Sequence, residues 1–147
     1  MRAYALSERS RTVAPGDLQA FDVLYTQLPR DEEARSAEIL RLKQERGYVD
    51  EDTVVLSGDL PQYGEICAKF EREHSHTLDE VRVVLEGEGI FDVRDTNDEW
   101  VRIEVDAGDL IVIPAGKHHR FLMTPRRFIR CLRLFSDHSG WAPVYRT

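Results

Sequence analysis

The sequence predicts a mainly β protein, one domain with its helices gathered in the N-terminal half. Three observations lead there. The chain has 147 residues, the size of one average domain of roughly 150. Helix-forming composition is confined to the first half, above all to residues 31–46, which contain neither Gly nor Pro. From Lys69 onward, β-branched or alternating runs recur between turn signals, at the roughly 8–12-residue spacing of a β-sandwich or barrel.

Residues 1–30 mix Pro15, Gly16 and Pro29 with one apolar stretch, Phe21 to Leu28, and are expected as an N-terminal segment packed on the barrel. Residues 31–68 form a helical region. Its first helix spans Asp31 to Arg46, carries a narrow apolar stripe at Ile39 and Leu42, and ends at Gly47. Thr53 to Leu56 reads as a short strand. Gly58-Asp59-Leu60-Pro61 reads as a second helix start, with Asp59 as N-cap and Pro61 in the first turn, running to about Ala68. Residues 69–147 form the barrel. Its strands are Val81 to Leu85, Ile90 to Val93, Trp100 to Val105, Leu110 to Ile113 and Phe128 to Phe135. Gly87-Glu88-Gly89, Asp95 to Asp98, Ala107-Gly108 and Pro114-Ala115-Gly116 punctuate them.

Composition narrows the function. Lys plus Arg number 20 and Asp plus Glu 27, a net charge of −7. That argues against nucleic acid held by general charge, because phosphate contacts need a basic face. A small anionic substrate needs only one or two well-placed cations. No uncharged apolar run approaches the roughly 18 residues of a membrane span. Met1 to Pro15 carries Arg2, Glu8, Arg9 and Arg11, so no secretory signal is expected. The two cysteines, Cys67 and Cys131, stand in unrelated contexts, so a reducing cytoplasm is expected. The net charge and the lack of an apolar seam fit a monomer.

The chemistry concentrates around the histidines. His74 and His76 are i and i+2, so on a strand they project from one face. Glu80 follows a short turn, Thr77-Leu78-Asp79, and can return to the same point from the next strand. Two imidazoles and a carboxylate suit a divalent first-row metal. One of His118 and His119, after the Pro114-Ala115-Gly116 turn, would complete a three-histidine, one-glutamate set.

His74-x-His76-x3-Glu80-x6-Gly87 and Gly108-x5-Pro114-x-Gly116-x2-His119 together resemble the two-part pattern of the cupin superfamily. The resemblance implies a double-stranded β-helix, or jelly-roll barrel, and it chooses His119 over His118. Longer blocks are similar to the acireductone dioxygenases. They are Glu73 to Arg82, Gly87-x-Gly89-x-Phe91-Asp92-Val93-Arg94-Asp95, Trp100-Val101-Arg102-Ile103, and Gly108 to Ile113 with Pro114-Ala115-Gly116-x-x-His119-Arg120-Phe121. Arg46-Gly47-Tyr48, Leu60-Pro61-x-Tyr63 and Arg133-Leu134-Phe135 match as well.

This second resemblance implies one Fe(II) or Ni(II) per chain, held by His74, His76, Glu80 and His119. It implies a small-molecule substrate, the acireductone 1,2-dihydroxy-3-keto-5-methylthiopentene of methionine salvage, cleaved with O2. Iron would give formate and 2-keto-4-methylthiobutyrate; nickel would give formate, CO and 3-methylthiopropionate. The family usually carries an aromatic residue where Val83 or Val84 stands. That motivates a related cupin oxygenase with another enediol or diketone substrate. A metal- or ligand-binding cupin without catalysis is a third reading.

Other residues take roles around this site. Arg82 lies two residues past Glu80 and shares its face; it is expected to stabilise charge on the substrate oxygens. Along Arg130 to Phe135, Cys131, Arg133 and Phe135 share one face, which places Arg133 inward as a second catalytic arginine. Asp79 is a proton relay or a turn residue. Phe121, two residues after His119, and Trp141 are candidates for the apolar wall around the methylthio tail. His138 is expected exposed in a loop.

Overall fold

The structure is a computed structural model, and it describes residues 1–138 and 143–147. In chain order the elements are β1 (Arg2–Ala5), β2 (Glu8–Thr12), α1 (Pro15–Leu18), a 3₁₀ turn (Gln19–Phe21), β3 (Leu24–Gln27), α2 (Glu32–Arg46) and β4 (Asp50–Ser57). They continue with α3 (Tyr63–Glu71), β5 (His74–Ser75), β6 (Glu80–Arg94), β7 (Trp100–Asp106), β8 (Asp109–Ile113), β9 (His119–Leu122), β10 (Phe128–Phe135) and β11 (Val144–Tyr145). The fold is mainly β, as the alternation in the second half implied.

Two antiparallel layers share one long strand. One runs β2-β1-β7-β6-β9-β5-β11, and the other runs β4-β10-β6-β8-β3. Residues 80–87 of β6 pair with β8 and β10, while residues 88–94 pair with β7 and β9. The crossover falls at Gly87, whose φ is +81°. A Cβ there would sit 2.2 Å from the Phe128 carbonyl oxygen, so only glycine permits the bend. Gly87-Glu88-Gly89 was expected as a turn between strands. It is instead the point where one continuous strand changes sheets, because both of its ends keep ladder partners.

The N-terminal half also departs from expectation. β1 pairs with β7, and β3 with β8, so residues before 31 contribute strands to both layers. β4 is longer than Thr53 to Leu56 and pairs along all eight residues with β10. The second helix begins at Tyr63, not near Asp59. Its N-cap is Gln62, without a side-chain bond, and it runs to Glu71. The segment before it is occupied by turns: Leu60 N–H donates to Ser57 O and Tyr63 N–H to Leu60 O. The first helix matches its sequence signals. Asp31 caps it by accepting from Ala34 N–H at 2.9 Å, and Gly47 ends it at φ +72°.

Burial follows the two-residue period of each strand. Val81, Val83, Leu110, Val112 and Leu134 point outward from the second layer into a cluster with Ile39 and Leu42 of α2. Val84, Ile111, Ile113, Ile129 and Cys131 point the other way, into the barrel, against Phe91, Val93 and Ile103 of the first layer. The second layer is thus buried on both faces, which explains the nearly unbroken apolar run from Val81 to Leu85. Its inner face also carries Glu80 and Arg82, and there the barrel becomes a site.

Candidate metal centre

β5 and β9 lie side by side, with His74 opposite His119. His76 shares the face of His74, and β6 opens with Glu80. His74, His76 and His119 are buried at 3%, 5% and 1% exposure. Their ring centroids lie 4.5–5.3 Å apart, and one nitrogen from each falls within 4.8 Å of the others. His76 Nε2 lies 3.7 Å from Glu80 Oε1, and His119 Nε2 lies 2.6 Å from Glu80 Oε2. Four donor atoms from three strand ends and a turn therefore meet at one interior point.

Hydrogen bonds on the far side of two rings set their orientation. Nδ1 of His74 lies 2.6 Å from Arg72 O, and Nδ1 of His119 lies 2.8 Å from Lys117 O. A carbonyl only accepts, so each Nδ1 carries the proton and donates. Each Nε2 lone pair is then free to face inward, the arrangement that metal-bound histidines adopt. Burial lowers the His74 pKa. For His119 burial acts the same way, but the Glu80 charge outweighs it and the net direction is up. Burial opposes the charge on Glu80 too. Arg82 and His119 overcome it and hold the carboxyl well below the usual carboxylate range.

This donor set fits a divalent metal. Glu80 Oε2 and His119 Nε2 are buried and have no hydrogen-bond partner among the described residues. Buried polar atoms are rarely left so, because each orphan costs about 1–3 kcal/mol. Three imidazoles and one carboxylate, all aimed at one point, match the nitrogen and oxygen preference of first-row divalent ions.

Comparison with known proteins agrees with this geometry. The family model described as ARD/ARD′ matches residues 7–143. The acireductone dioxygenase of Dictyostelium discoideum is 38% identical over 146 residues, covering 99% of both chains. The chain belongs to the acireductone dioxygenase family. The family member from Ixodes scapularis is 41% identical over 125 residues, 84% of this chain and 68% of its own. Among solved structures, acireductone dioxygenase from Bacillus anthracis, with a cadmium ion in its active centre, superposes with a TM-score of 0.85 at 28% identity. That match covers 98% of this chain and 97% of the other. The barrel is thus the cupin jelly roll of the acireductone dioxygenases, a family of metal-dependent dioxygenases.

Around the four donors, this member of the acireductone dioxygenase family places the remaining candidates unequally. Arg82 is buried at 9% exposure and donates from Nη2 to Glu80 Oε1 at 2.8 Å. A cavity between the layers is lined by Glu80, Arg82, Arg133, Phe121, Phe70 and Ile129, among others. Arg133 therefore points inward, and Asp52 grips it from outside at 2.7 and 2.5 Å. Phe121 packs at 4.9 Å against Phe91 with the rings tilted by 57°, and meets Phe70 edge-on at 6.2 Å. Asp79 has both oxygens engaged: Oδ2 accepts from the Tyr48 hydroxyl at 2.8 Å and Oδ1 from Ala115 N–H at 3.0 Å. It therefore ties the His76–Glu80 turn to the loop before His119. Trp141 lies outside the described residues. His138 is exposed, as expected, 3.4 Å from Asp50.

Sequence reasoning missed Asp52, Tyr48 and Phe70 as neighbours of the site. Phe70 carries a weak signal, four residues before His74 at the end of a helix. Asp52 carries none, since its partner is 81 residues away. A further support was also unforeseen. Asp92, fully buried, accepts from Arg102 and Arg120 at 2.8 Å on either side, which locks β9 next to His119.

Proposed function

We propose that this protein is an acireductone dioxygenase of methionine salvage. It would cleave 1,2-dihydroxy-3-keto-5-methylthiopentene with O2, using one Fe(II) or Ni(II) per chain. The observation that carries the reading is the convergence of His74, His76, His119 and Glu80 at one buried point, with Arg82 beside them, in a chain of this family.

When bound, held by His74, His76, Glu80 and His119, the metal would supply Lewis acidity and a template for the two enediolate oxygens. The chain's own residues do the rest. The Nδ1–H bonds to Arg72 O and Lys117 O hold two imidazoles with Nε2 inward, so two ligand positions are set before metal arrives. Arg82 keeps Glu80 ionised and leaves a buried cation facing the cavity, where it can stabilise negative charge on the substrate. Arg133 adds a second cation along the same wall. Phe121, Phe91 and Ile129 exclude water and offer an apolar surface to the methylthio tail. Asp79 acts by holding two loops in register. A monomer in a reducing cytoplasm agrees with this picture. All four donors come from one chain, and Cys67 and Cys131 are free thiols.

The test is oxygen uptake with product analysis. Protein reloaded anaerobically with Fe(II) is mixed with acireductone and O2, and the spontaneous rate is subtracted. Formate and the keto acid, produced well above background, are expected. Background uptake by protein holding one iron would overturn the proposal.

A further inference from the structure

We infer that Asp52 is a positioning residue of the substrate site, acting through Arg133; the inference rests on the acireductone dioxygenase reading. Asp52, Arg133 and Arg82 stand in one row across three adjacent strands. Arg133 of β10 is in register with Asp52 of β4 on one side and with Arg82 of β6 on the other. Asp52 takes Arg133 in a two-pronged fork, Nε to Oδ1 at 2.7 Å and Nη2 to Oδ2 at 2.5 Å. Arg82 is held along its own strand. Its Nη2 donates to Glu80 Oε1 at 2.8 Å and its Nη1 to Val81 O at 3.1 Å.

Two guanidinium groups thus stand side by side on the cavity wall, Arg133 anchored by Asp52 across the strands and Arg82 by Glu80 along its own strand. Like charges in a partly desolvated wall repel. The two carboxylates help to hold both cations facing the cavity. A fork fixes the plane of a guanidinium as well as its place. The Asp52 side chain is about half exposed (46%), while Arg133 is mostly covered (17%). Asp52 therefore sits at the rim, where it orients Arg133 without itself meeting substrate. Removing its charge releases the fork and leaves the repulsion from Arg82 unbalanced by it.

Asp52→Asn tests this, since it keeps size and one acceptor but loses the charge and the fork. Arg133 faces charge that bound substrate and transition state share, so binding suffers more than turnover. The expected result is a KM for acireductone raised roughly fivefold, the scale of a partly exposed ion pair, with kcat within twofold. Asp52→Glu should recover part of the loss. In an Arg133→Gln background, Asp52→Asn should add nothing further. On metal-free protein, side-chain nitrogen NMR should show the Arg133 Nε–H resonance shifted and faster to exchange in Asp52→Asn. An unchanged KM, an equal rise persisting in the Arg133→Gln background, or an unmoved Arg133 resonance would overturn the inference. If iron-loaded wild type fails to turn over acireductone, the functional reading falls instead, and the NMR comparison still decides whether Asp52 holds Arg133.

Discussion

Glu80 Oε2 and His119 Nε2 lie 2.6 Å apart in the interior of the barrel, and neither makes a hydrogen bond among the described residues. Glu80 Oε1 is held by Arg82, and His119 Nδ1 by Lys117 O. The two remaining atoms are thereby aimed at a common point with His74 and His76. Binding an ion there would satisfy both orphans at once and couple metal affinity to folding.

Metal content and stability should therefore change together. His119→Ala is expected to reduce bound iron or nickel from one per chain to less than about a tenth, read by elemental analysis, and to remove the thermal shift on adding metal. In wild type, saturating metal at about 100 times Kd should stabilise by about 2.7 kcal/mol. A variant that still binds one ion would exclude His119 as a ligand.

Gly89 leaves room for Phe121. A Cβ on Gly89 would lie 2.6 Å from two atoms of the Phe121 ring, so Gly89→Ala must push that ring into the cavity. Overpacking of this kind costs about 1–3 kcal/mol. A lower melting temperature and a raised KM for acireductone are expected. Gly64 is the control. It sits in α3, and a Cβ there would have nothing within 4 Å, so Gly64→Ala should stabilise by about 0.5–1 kcal/mol. Equal effects from both changes would contradict the packing argument.

Tyr48 is buried at 4% exposure and donates to Asp79. Tyr48→Phe removes only that hydroxyl and leaves Asp79 Oδ2 short of a donor. A loss of about 1–2 kcal/mol is expected, measured by denaturant unfolding, with weaker metal retention because Asp79 ties the His76–Glu80 turn to the His119 loop. Unaltered metal retention would confine Tyr48 to packing.

Cys131 carries a pH prediction. Burial pushes its thiol up to about 11, against the opposing charges of Arg82 and Arg133. The folded state thus favours the neutral thiol. The stability this contributes is complete below the unfolded thiol value near 9 and is lost as pH rises through about 11. Folding free energy measured from pH 7 to pH 10 should decline above pH 9, and Cys131→Ser should flatten that decline. At pH 8, alkylation should reach the half-buried Cys67 well before Cys131.

Much of the site was legible in local spacing. His74 and His76 share a face because strand side chains alternate, and Glu80 and Arg82 share one for the same reason. α2 was bounded by Asp31 and Gly47, since capping is decided within four residues. The two-part cupin pattern singled out His119 from His118. The turn assigned to Gly87-Glu88-Gly89 failed because glycine signals a backbone conformation, and bulges and turns both use it. The helix start at Asp59 failed because the same residues were committed to turns beside Arg127. The β1–β2 hairpin was missed because every residue of β2 is exposed and no apolar alternation marks it.

By itself, then, the sequence determined the residue kinds and local faces: a strand-end pair of histidines, a glutamate and an arginine on one face, and the barrel class that brings them inward. Only the tertiary structure decided who stands beside whom across strands. Asp52 meets Arg133, Tyr48 meets Asp79, and Asp92 lies between Arg102 and Arg120, because strand order and register place them there. Side-chain periodicity is a property of a few consecutive residues. Pairing across 81 residues depends on how the whole chain closes the barrel, and no short window of sequence contains that information.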